Sequence, residues 1–197
     1  MYIRKIVSKN LGPIKKIQLL LPLENGVPKP VVLVGENGTG KSTLISNVVD
    51  SFYEIAGAAY PDARKHGETE GYEFYKIINP IEIHTGEKYL YSYIKYESLS
   101  GEIPSIDYVF KSGRISNEEF RQNCDDCSQQ ISWTDDENFK QTTASKEDAE
   151  KIISSDIICY FGPDRYEKPS WLGDQYYETT DYEHIAVKPR FAGKMEL

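Results

Sequence analysis

The sequence predicts an α/β fold in which a mixed sheet with an antiparallel part surrounds one amphipathic helix. Three observations predict it: strand-like alternation at the start of the chain, a glycine-rich loop between a short apolar run and a helix-like stretch, and later β-type segments separated by turn residues. The chain has 197 residues, 39% of them hydrophobic, which is enough for a packed core.

The first predicted elements are two strands at residues 2–8 and 16–21, where apolar and polar side chains alternate. Residues 10–13 (Asn-Leu-Gly-Pro), between the two strands, are typical of a turn. A loop with proline and glycine then leads to residues 31–34 (Val-Val-Leu-Val). Such a short, continuous apolar run predicts a fully buried central strand.

A helix is predicted from Lys41 onward, because apolar residues recur after it at spacings of four and three and therefore share one face. Gly57 and then Pro61 are expected to end this helix. The predicted apolar stripe consists of Leu44, Val48, Phe52 and Ile55, widened by Ile45 and Val49.

An antiparallel meander is predicted next, with strands near residues 72–78, 88–96 and 106–110. Its middle strand carries three tyrosines on one face: Tyr89, Tyr91 and Tyr93. Aromatic rings can stack on nucleic-acid bases, but tyrosines on a half-buried strand are ordinary packing residues, and we favour packing.

The remaining chain divides into a polar, acidic insertion at residues 113–150 and a final part at residues 151–197. A helix is expected at residues 147–153, leading into a second central strand at residues 157–161 (Ile-Ile-Cys-Tyr-Phe). After that strand the sequence has little periodicity and many aromatic residues. The predicted units are therefore residues 1–60, the meander at 72–112, the insertion and the final part.

The net charge of −8 hides an asymmetry between the two parts of the chain. Residues 1–50 carry seven Lys and Arg against three Asp and Glu, or +4, and the rest carries 16 against 28, or −12. A basic start can mark the edge of a nucleic-acid surface. We favour the simpler interpretation that these cations lie on the solvent faces of the first two strands: Arg4, Lys5, Lys9, Lys15 and Lys16.

Cysteines and apolar runs limit the other classes of function. Cys124 and Cys127 form one C-x-x-C pair without a second pair or a nearby histidine couple, so incidental thiols are favoured over a zinc or redox site. No apolar run approaches the roughly 20 residues that cross a bilayer. The alternating, charged start is unlike a signal peptide, and a cytoplasmic protein is expected.

The glycine-rich loop at residues 35–42 matches the pattern G-x-x-x-x-G-K-[ST] between a predicted strand and a predicted helix. Its glycines let the backbone approach a ligand, so that successive N–H groups and the positive helix end can surround phosphates. Lys41 is expected to stabilise the β- and γ-phosphates, the Ser42 hydroxyl to be a Mg²⁺ ligand, and Thr43 to contact the α-phosphate. The predicted ligands are ATP and Mg²⁺, and the predicted binding residues are Gly35, Glu36, Asn37, Gly38, Thr39, Gly40, Lys41, Ser42 and Thr43.

Residues 32–44 resemble the G-x-N-G-x-G-K-S-T-L form of ABC-type ATPases, and most closely that of the SMC, RecF and OLD branch and related AAA ATPases of bacterial defence systems. The start of the chain is similar to the I-x-N-F-x-x-I-K opening of those proteins, although Leu11 stands where phenylalanine is usual. The resemblance covers residues 1–56. It implies a P-loop NTPase of the ABC/SMC-head type, in which ATP lies between two heads.

Further parts of the site and its partners follow only from this resemblance. It implies self-association or a C-terminal ATPase lobe, and DNA or a nuclease as a further partner, in DNA repair or phage defence. The signature and Walker B motifs of the family are not recognisable, because residues 99–102 (Leu-Ser-Gly-Glu) lack the second glycine and the glutamine, and Asp164-Arg165 is not an Asp-Glu pair. Hydrolysis is therefore expected only when another lobe or a partner completes the site.

Alternatives remain for Arg165 and for the function as a whole. Arg165 either approaches phosphates or a neighbouring subunit, or lies in a surface loop. A GTPase needs D-x-x-G and N-K-x-D, which do not occur in the sequence, and a small-molecule kinase would need an arginine-rich lid. The main rival is a non-hydrolysing module in which bound ATP controls dimerisation or the binding of DNA or protein.

Overall fold

A computed structural model describes residues 1–60, 64–65, 73–74, 81–99, 101 and 104–155. The described strands are β1 (Tyr2–Leu11), β2 (Ile14–Leu20), β3 (Leu23–Glu24), β4 (Val27–Pro28), β5 (Arg64–Lys65), β6 (Glu73–Phe74), β7 (Tyr89–Glu97), β8 (Ile106–Gly113) and β9 (Phe139–Gln141). The described helices are α1 (Lys41–Gly57), α2 (Asn117–Arg121) and α3 (Lys146–Ser155). This part of the chain is a mixed α/β structure with a mostly antiparallel sheet.

The main sheet has five strands in the order β2-β1-β7-β8-β9, and every neighbouring pair is antiparallel. β1 and β2 form a tight hairpin in which Leu11 pairs with Ile14, and Gly12 adopts a positive φ of 53° that suits a glycine in such a turn. The short pairs β3–β4, antiparallel, and β5–β6, parallel, lie outside this sheet.

Both faces of the main sheet are buried. Side chains alternate between the two faces along β7, and residues on each face belong to a different core. Leu90, Ile94 and Tyr96 belong to one core, whereas Tyr91 and Tyr93 belong to the other. The two helices α1 and α3 cover the first face, and we call this side the helix face. The second face is covered by residues 114–138, between β8 and β9, which we call the covering segment.

The helix α1 confirms the four main residues of the predicted stripe, since Leu44 and Ile55 are buried and Val48 and Phe52 are half-buried against the helix-face core. The predicted widening is wrong at Ile45, which is 43% exposed. It also buries a polar row that the apolar pattern did not indicate. Asn47 Nδ2 donates to Ser92 Oγ at 2.7 Å, and the hydroxyls of Ser51 and Tyr96 share a hydrogen bond. These bonds fix α1 in one position on the sheet, because a buried polar group without a partner is costly.

The covering segment builds the second core from apolar residues that are spaced singly along a polar stretch. Phe120 is fully buried and makes edge-to-face contacts with Tyr91 at 5.3 Å and with Trp133 at 5.0 Å between ring centres. Arg121 holds the loop that follows α2 by donating to the backbone carbonyls of Ser128 and Ile131 at 2.8 and 2.7 Å. The predicted polar insertion is therefore a structural cover with its own core.

The prediction that residues 31–34 form a fully buried central strand is wrong for the described structure. These residues have no regular secondary structure, and Val32 and Val34 are 81% and 91% exposed. Only Leu33 packs against the helix-face core. An apolar run shows that a segment suits burial, but it does not specify a pairing strand, and the five strands of the main sheet pair without it.

The other predicted elements are either confirmed or lie outside the described residues. The first two strands, α1, the strands near residues 88–96 and 106–110, and the helix near residues 147–153 are all confirmed. Most of the predicted strand at residues 72–78, and all of the second central strand at residues 157–161, lie outside the described residues. Within the described part, no helix combines the length and apolarity needed to cross a bilayer.

Candidate nucleotide-binding site

The glycine-rich loop ends directly at the first turn of α1. Gly40 precedes the helix in a left-handed conformation with φ of 95°, and Gly38 has φ of 82°, both of which favour glycine. Residues 35–39 are exposed, Lys41 and Thr43 are half-buried, and Ser42 is exposed. Apart from the buried Gly40, the predicted binding residues are therefore exposed or half-buried at the start of α1.

The start of α1 has the features of an anion site. The first helical bond is donated by the Leu44 N–H to the Gly40 carbonyl, so the N–H groups of the three residues before Leu44 have no acceptor within the helix. Gly40 provides no capping side chain, and the first turn of this fully described helix has no acidic residue. The positive end of the helix dipole is therefore open to an anionic ligand.

The side chain of Lys41 folds back over the loop. Its ammonium group donates to the carbonyl oxygens of Gly35 at 2.8 Å and Glu36 at 2.7 Å. The Thr39 hydroxyl also donates to the Glu36 carbonyl, at 2.9 Å. These bonds close the loop on itself and keep one positive charge within it, and this charge adds to the attraction for phosphate oxygens.

The turn between β1 and β2 packs against the glycine-rich loop at Gly40. A Cβ atom at Gly40 would lie 2.5 Å from Ile14 Cγ1 and 3.2 Å from Pro13 Cγ, so glycine is needed here for space as well as for backbone conformation. The position of the loop is thus set by the first hairpin. The sequence predicted the hairpin and the loop separately but gave no sign of this contact.

Residues 82–84 form hydrogen bonds with the same turn, and the sequence did not predict these contacts. The Gly12 N–H donates to the Glu82 carbonyl at 2.8 Å, and the His84 N–H donates to the Asn10 carbonyl at 2.9 Å. The His84 ring nitrogen Nδ1 lies 2.7 Å from the Gly12 carbonyl oxygen, to which it donates. An isolated histidine such as His84 carries no sequence pattern, so the sequence does not indicate this contact.

The basic residues at the start of the chain are mostly paired inside the molecule. Lys5 is buried and forms an ion pair with Asp126 at 2.6 Å, and Lys9 forms one with Glu119 at 3.0 Å. The covering segment thus neutralises two cations that were expected to face solvent, and this part of the solvent-face interpretation is wrong. Lys15 and Lys16 are exposed on β2, as expected.

Cys124 and Cys127 are buried free thiols in the core of the covering segment. Burial is the main cause that raises the pKa of both thiols, that of Cys127 to about 12. A protonated, enclosed thiol is a poor nucleophile and a poor metal ligand. Among the described residues, no group of three or more His, Cys, Asp or Glu side chains is arranged to hold a metal ion.

Asp164 and Arg165 lie outside the described residues, as do Ser100 and Glu102 of the signature-like stretch.

No protein-family model and no curated protein matches the chain. The chain is similar to a solved structure of an SMC ATPase, from work on ATP-driven dimerisation and DNA-stimulated activation of these enzymes. The identity is 16%, the TM-score is 0.37, and the match covers 93% of this chain and 95% of the other. At this TM-score the similarity carries no inference about function.

Proposed function

We propose that the chain binds ATP with Mg²⁺ through residues 35–43 and is the ATP-binding lobe of an ABC/SMC-like ATPase. The observation that carries the proposal is the start of α1, where a matching glycine-rich sequence meets an uncapped helix end whose first turn has no acidic residue. A surface turn that matched the motif by chance would have no reason to combine these features.

Each predicted residue has a physical task in this proposal. The free N–H groups at the start of α1 surround the phosphates, and Lys41 exchanges its two carbonyl partners for phosphate oxygens that carry full negative charge. The exposed Ser42 hydroxyl is available to a magnesium ion shared with the phosphates. Asn37 lies at the exposed tip of the loop, where it contacts the nucleotide or a second head.

Hydrolysis by the ATPase needs residues that this chain does not display in recognisable form. A second lobe or a partner subunit supplies the acidic residues that hold the metal shell and activate water. The isolated chain is therefore expected to bind ATP with Mg²⁺ and to hydrolyse it very slowly. The complete ATPase acts in DNA repair or maintenance, or in phage defence, with self-association as part of its cycle.

Titration calorimetry with ATP and Mg²⁺ tests the binding step. Lys41→Ala removes the positive charge of the loop and is expected to weaken ATP binding at least tenfold, because charge-assisted hydrogen bonds are worth about 1.5–3 kcal/mol each. Lys16→Ala removes an exposed lysine from β2 and serves as the matched control. Absence of ATP binding by the unaltered chain, or equal affinities of the two variants, would refute the proposed site.

A further inference from the structure

The space beside Gly12 is bordered by two side chains from distant parts of the chain. A Cβ atom built on Gly12 would lie 3.5 Å from Thr43 Cγ2 and 4.0 Å from Glu82 Oε2. Because Gly12 has no side chain, the methyl group of Thr43 and the carboxylate of Glu82 face a small notch above the turn. The notch adjoins the third residue of α1 and therefore the proposed phosphate site.

The position of Glu82 in this notch is fixed by its backbone. The Glu82 carbonyl accepts the Gly12 N–H, Ile83 forms a β-bridge with Leu11, and His84 binds the turn through its own N–H and its ring. The half-buried Glu82 carboxylate forms no hydrogen bond or ion pair with any other described residue. A carboxylate whose backbone is fixed beside a ligand site, and which has no partner among the described residues, is suited to recognition of that ligand.

The chemistry of the nucleotide determines which of its groups this carboxylate can bind. The proposed α-phosphate contact is at Thr43, and the sugar is the next group of the nucleotide beyond the α-phosphate. A carboxylate repels phosphates but accepts hydrogen bonds from sugar hydroxyls, and acidic residues recognise ribose in this way in dinucleotide sites. The magnesium ion is expected on the opposite side, at Ser42, toward the β- and γ-phosphates.

We propose that Glu82 recognises the sugar, so that its carboxylate accepts a hydrogen bond from a ribose hydroxyl and the chain selects ribonucleotides over deoxyribonucleotides. This inference rests on the proposed nucleotide site and extends it by one specificity-determining residue. Gly12 adds no side chain that would cover the Glu82 carboxylate, and His84 is a positioning residue that holds the turn.

The test is titration calorimetry of the full chain with ATP, 2′-deoxyATP and 3′-deoxyATP in the presence of Mg²⁺. The unaltered chain should bind ATP about tenfold more tightly than at least one deoxy analogue, which is the effect of one hydrogen bond to a charged acceptor. Glu82→Ala should remove this preference by weakening ATP binding while the affinity for that analogue is kept. Glu82→Gln, which retains the shape without the charge, should reduce the preference.

Glu87→Ala is the matched control, because Glu87 is an exposed acidic residue of the same segment, and it should keep the preference for ATP. Thermal melting should give equal midpoints for the two alanine variants, since the bond from Gly12 goes to the backbone of residue 82. If the unaltered chain binds ATP and both analogues equally, or if Glu82→Ala keeps the preference, Glu82 does not recognise the sugar although the nucleotide site stands. If it binds no nucleotide at all, the proposed function itself fails.

Discussion

The glycine-rich loop and the covering segment are both irregular parts of the chain, but they are held in opposite ways. The loop bonds mainly to itself, through Lys41 and Thr39, and most of it is exposed. The covering segment bonds to the sheet, through pairs such as Lys5–Asp126, and it buries Phe120 completely. The difference shows that the covering segment is held by its contacts with the sheet, while hydrogen-bond donors of the glycine-rich loop stay free for a ligand.

The largest expected effect is on stability and comes from the covering segment. Phe120→Ala should lower the free energy of unfolding by about 3–5 kcal/mol, because it empties the centre of the second core. Phe139→Ala is the control, since Phe139 is 45% exposed on β9 and touches Phe110 at its edge, and it should cost clearly less than Phe120→Ala. Urea denaturation followed by circular dichroism measures both. Similar losses for the two variants would show that the covering segment has no core of its own.

The next effect concerns two glycines of the loop. It separates the stability cost of an unfavourable backbone conformation from the cost of a steric clash. Gly40 and Gly38 both have a positive φ, but a Cβ atom would collide with Ile14 only at Gly40, and at Gly38 it would meet nothing within 4 Å. Gly38→Ala should therefore cost about 1–2 kcal/mol of unfolding free energy, and Gly40→Ala about 2–4 kcal/mol. Gly40→Ala should also weaken ATP binding more, because it displaces the N–H groups at the start of α1. Equal stability losses in urea would contradict the described contact with the hairpin.

The sequence predicted where α1 begins because the pattern that marks this point is local. A glycine-rich pattern, a helical period after Lys41 and a preceding apolar run all lie within about one loop and one helix, and the structure confirms the start of the helix. It failed for residues 31–34, because burial of an apolar run depends on which strands pair with it. That information is not contained in the run itself.

The covering segment was missed for a related reason. Its buried residues stand singly among polar ones, so neither a period of two nor one of 3.6 indicates them: Ile115, Phe120, Cys124, Cys127 and Trp133. They meet only when α2 and the loop after it fold back over β7. The sequence could not indicate the role of His84 either, because its partner Gly12 is distant in the sequence.

A smaller effect tests the second core at two neighbouring tyrosines. The buried Tyr91 hydroxyl has no hydrogen-bond partner in the described part of the chain, whereas the Tyr93 hydroxyl donates to Asp107 Oδ1 at 2.9 Å. Tyr93→Phe should therefore destabilise the protein by about 1–2 kcal/mol, because it leaves a carboxylate oxygen without its donor. Tyr91→Phe should be neutral or slightly stabilising. Urea midpoints for the two variants provide the measurement, and a larger loss for Tyr91→Phe would rule out this assignment of partners.

The smallest effect is the dependence of stability on pH, which should arise from the ion pairs between sheet and covering segment. Burial raises the pKa of Asp126, but the hydrogen bond and charge of Lys5 and the charge of Lys95 outweigh it, so the pKa is lowered. For Glu119, the hydrogen bond from Tyr89 is the largest cause of a lowered pKa; burial opposes it, and Lys9 lowers the pKa further. A carboxyl with a lowered pKa in the folded state contributes stability above its unfolded pKa of about 4. This contribution is lost as the pH falls from about 4 through the folded pKa.

Asp126→Asn is the variant that isolates this contribution. Because the carboxyl is partly exposed, its ion pair should be worth less than about 1 kcal/mol at pH 7. The unaltered chain and Asp126→Asn should therefore differ in unfolding free energy at pH 7, and this difference should shrink as the pH falls below about 4. Asp135→Asn, at an exposed acid of the same segment, should match the unaltered chain throughout. A constant difference between the unaltered chain and Asp126→Asn from pH 7 to pH 3 would mean that charge does not hold the covering segment on the sheet. The attachment of the covering segment would then depend on the buried aromatic core alone. The covering segment and the glycine-rich loop would then differ in their packing and not in their charge interactions.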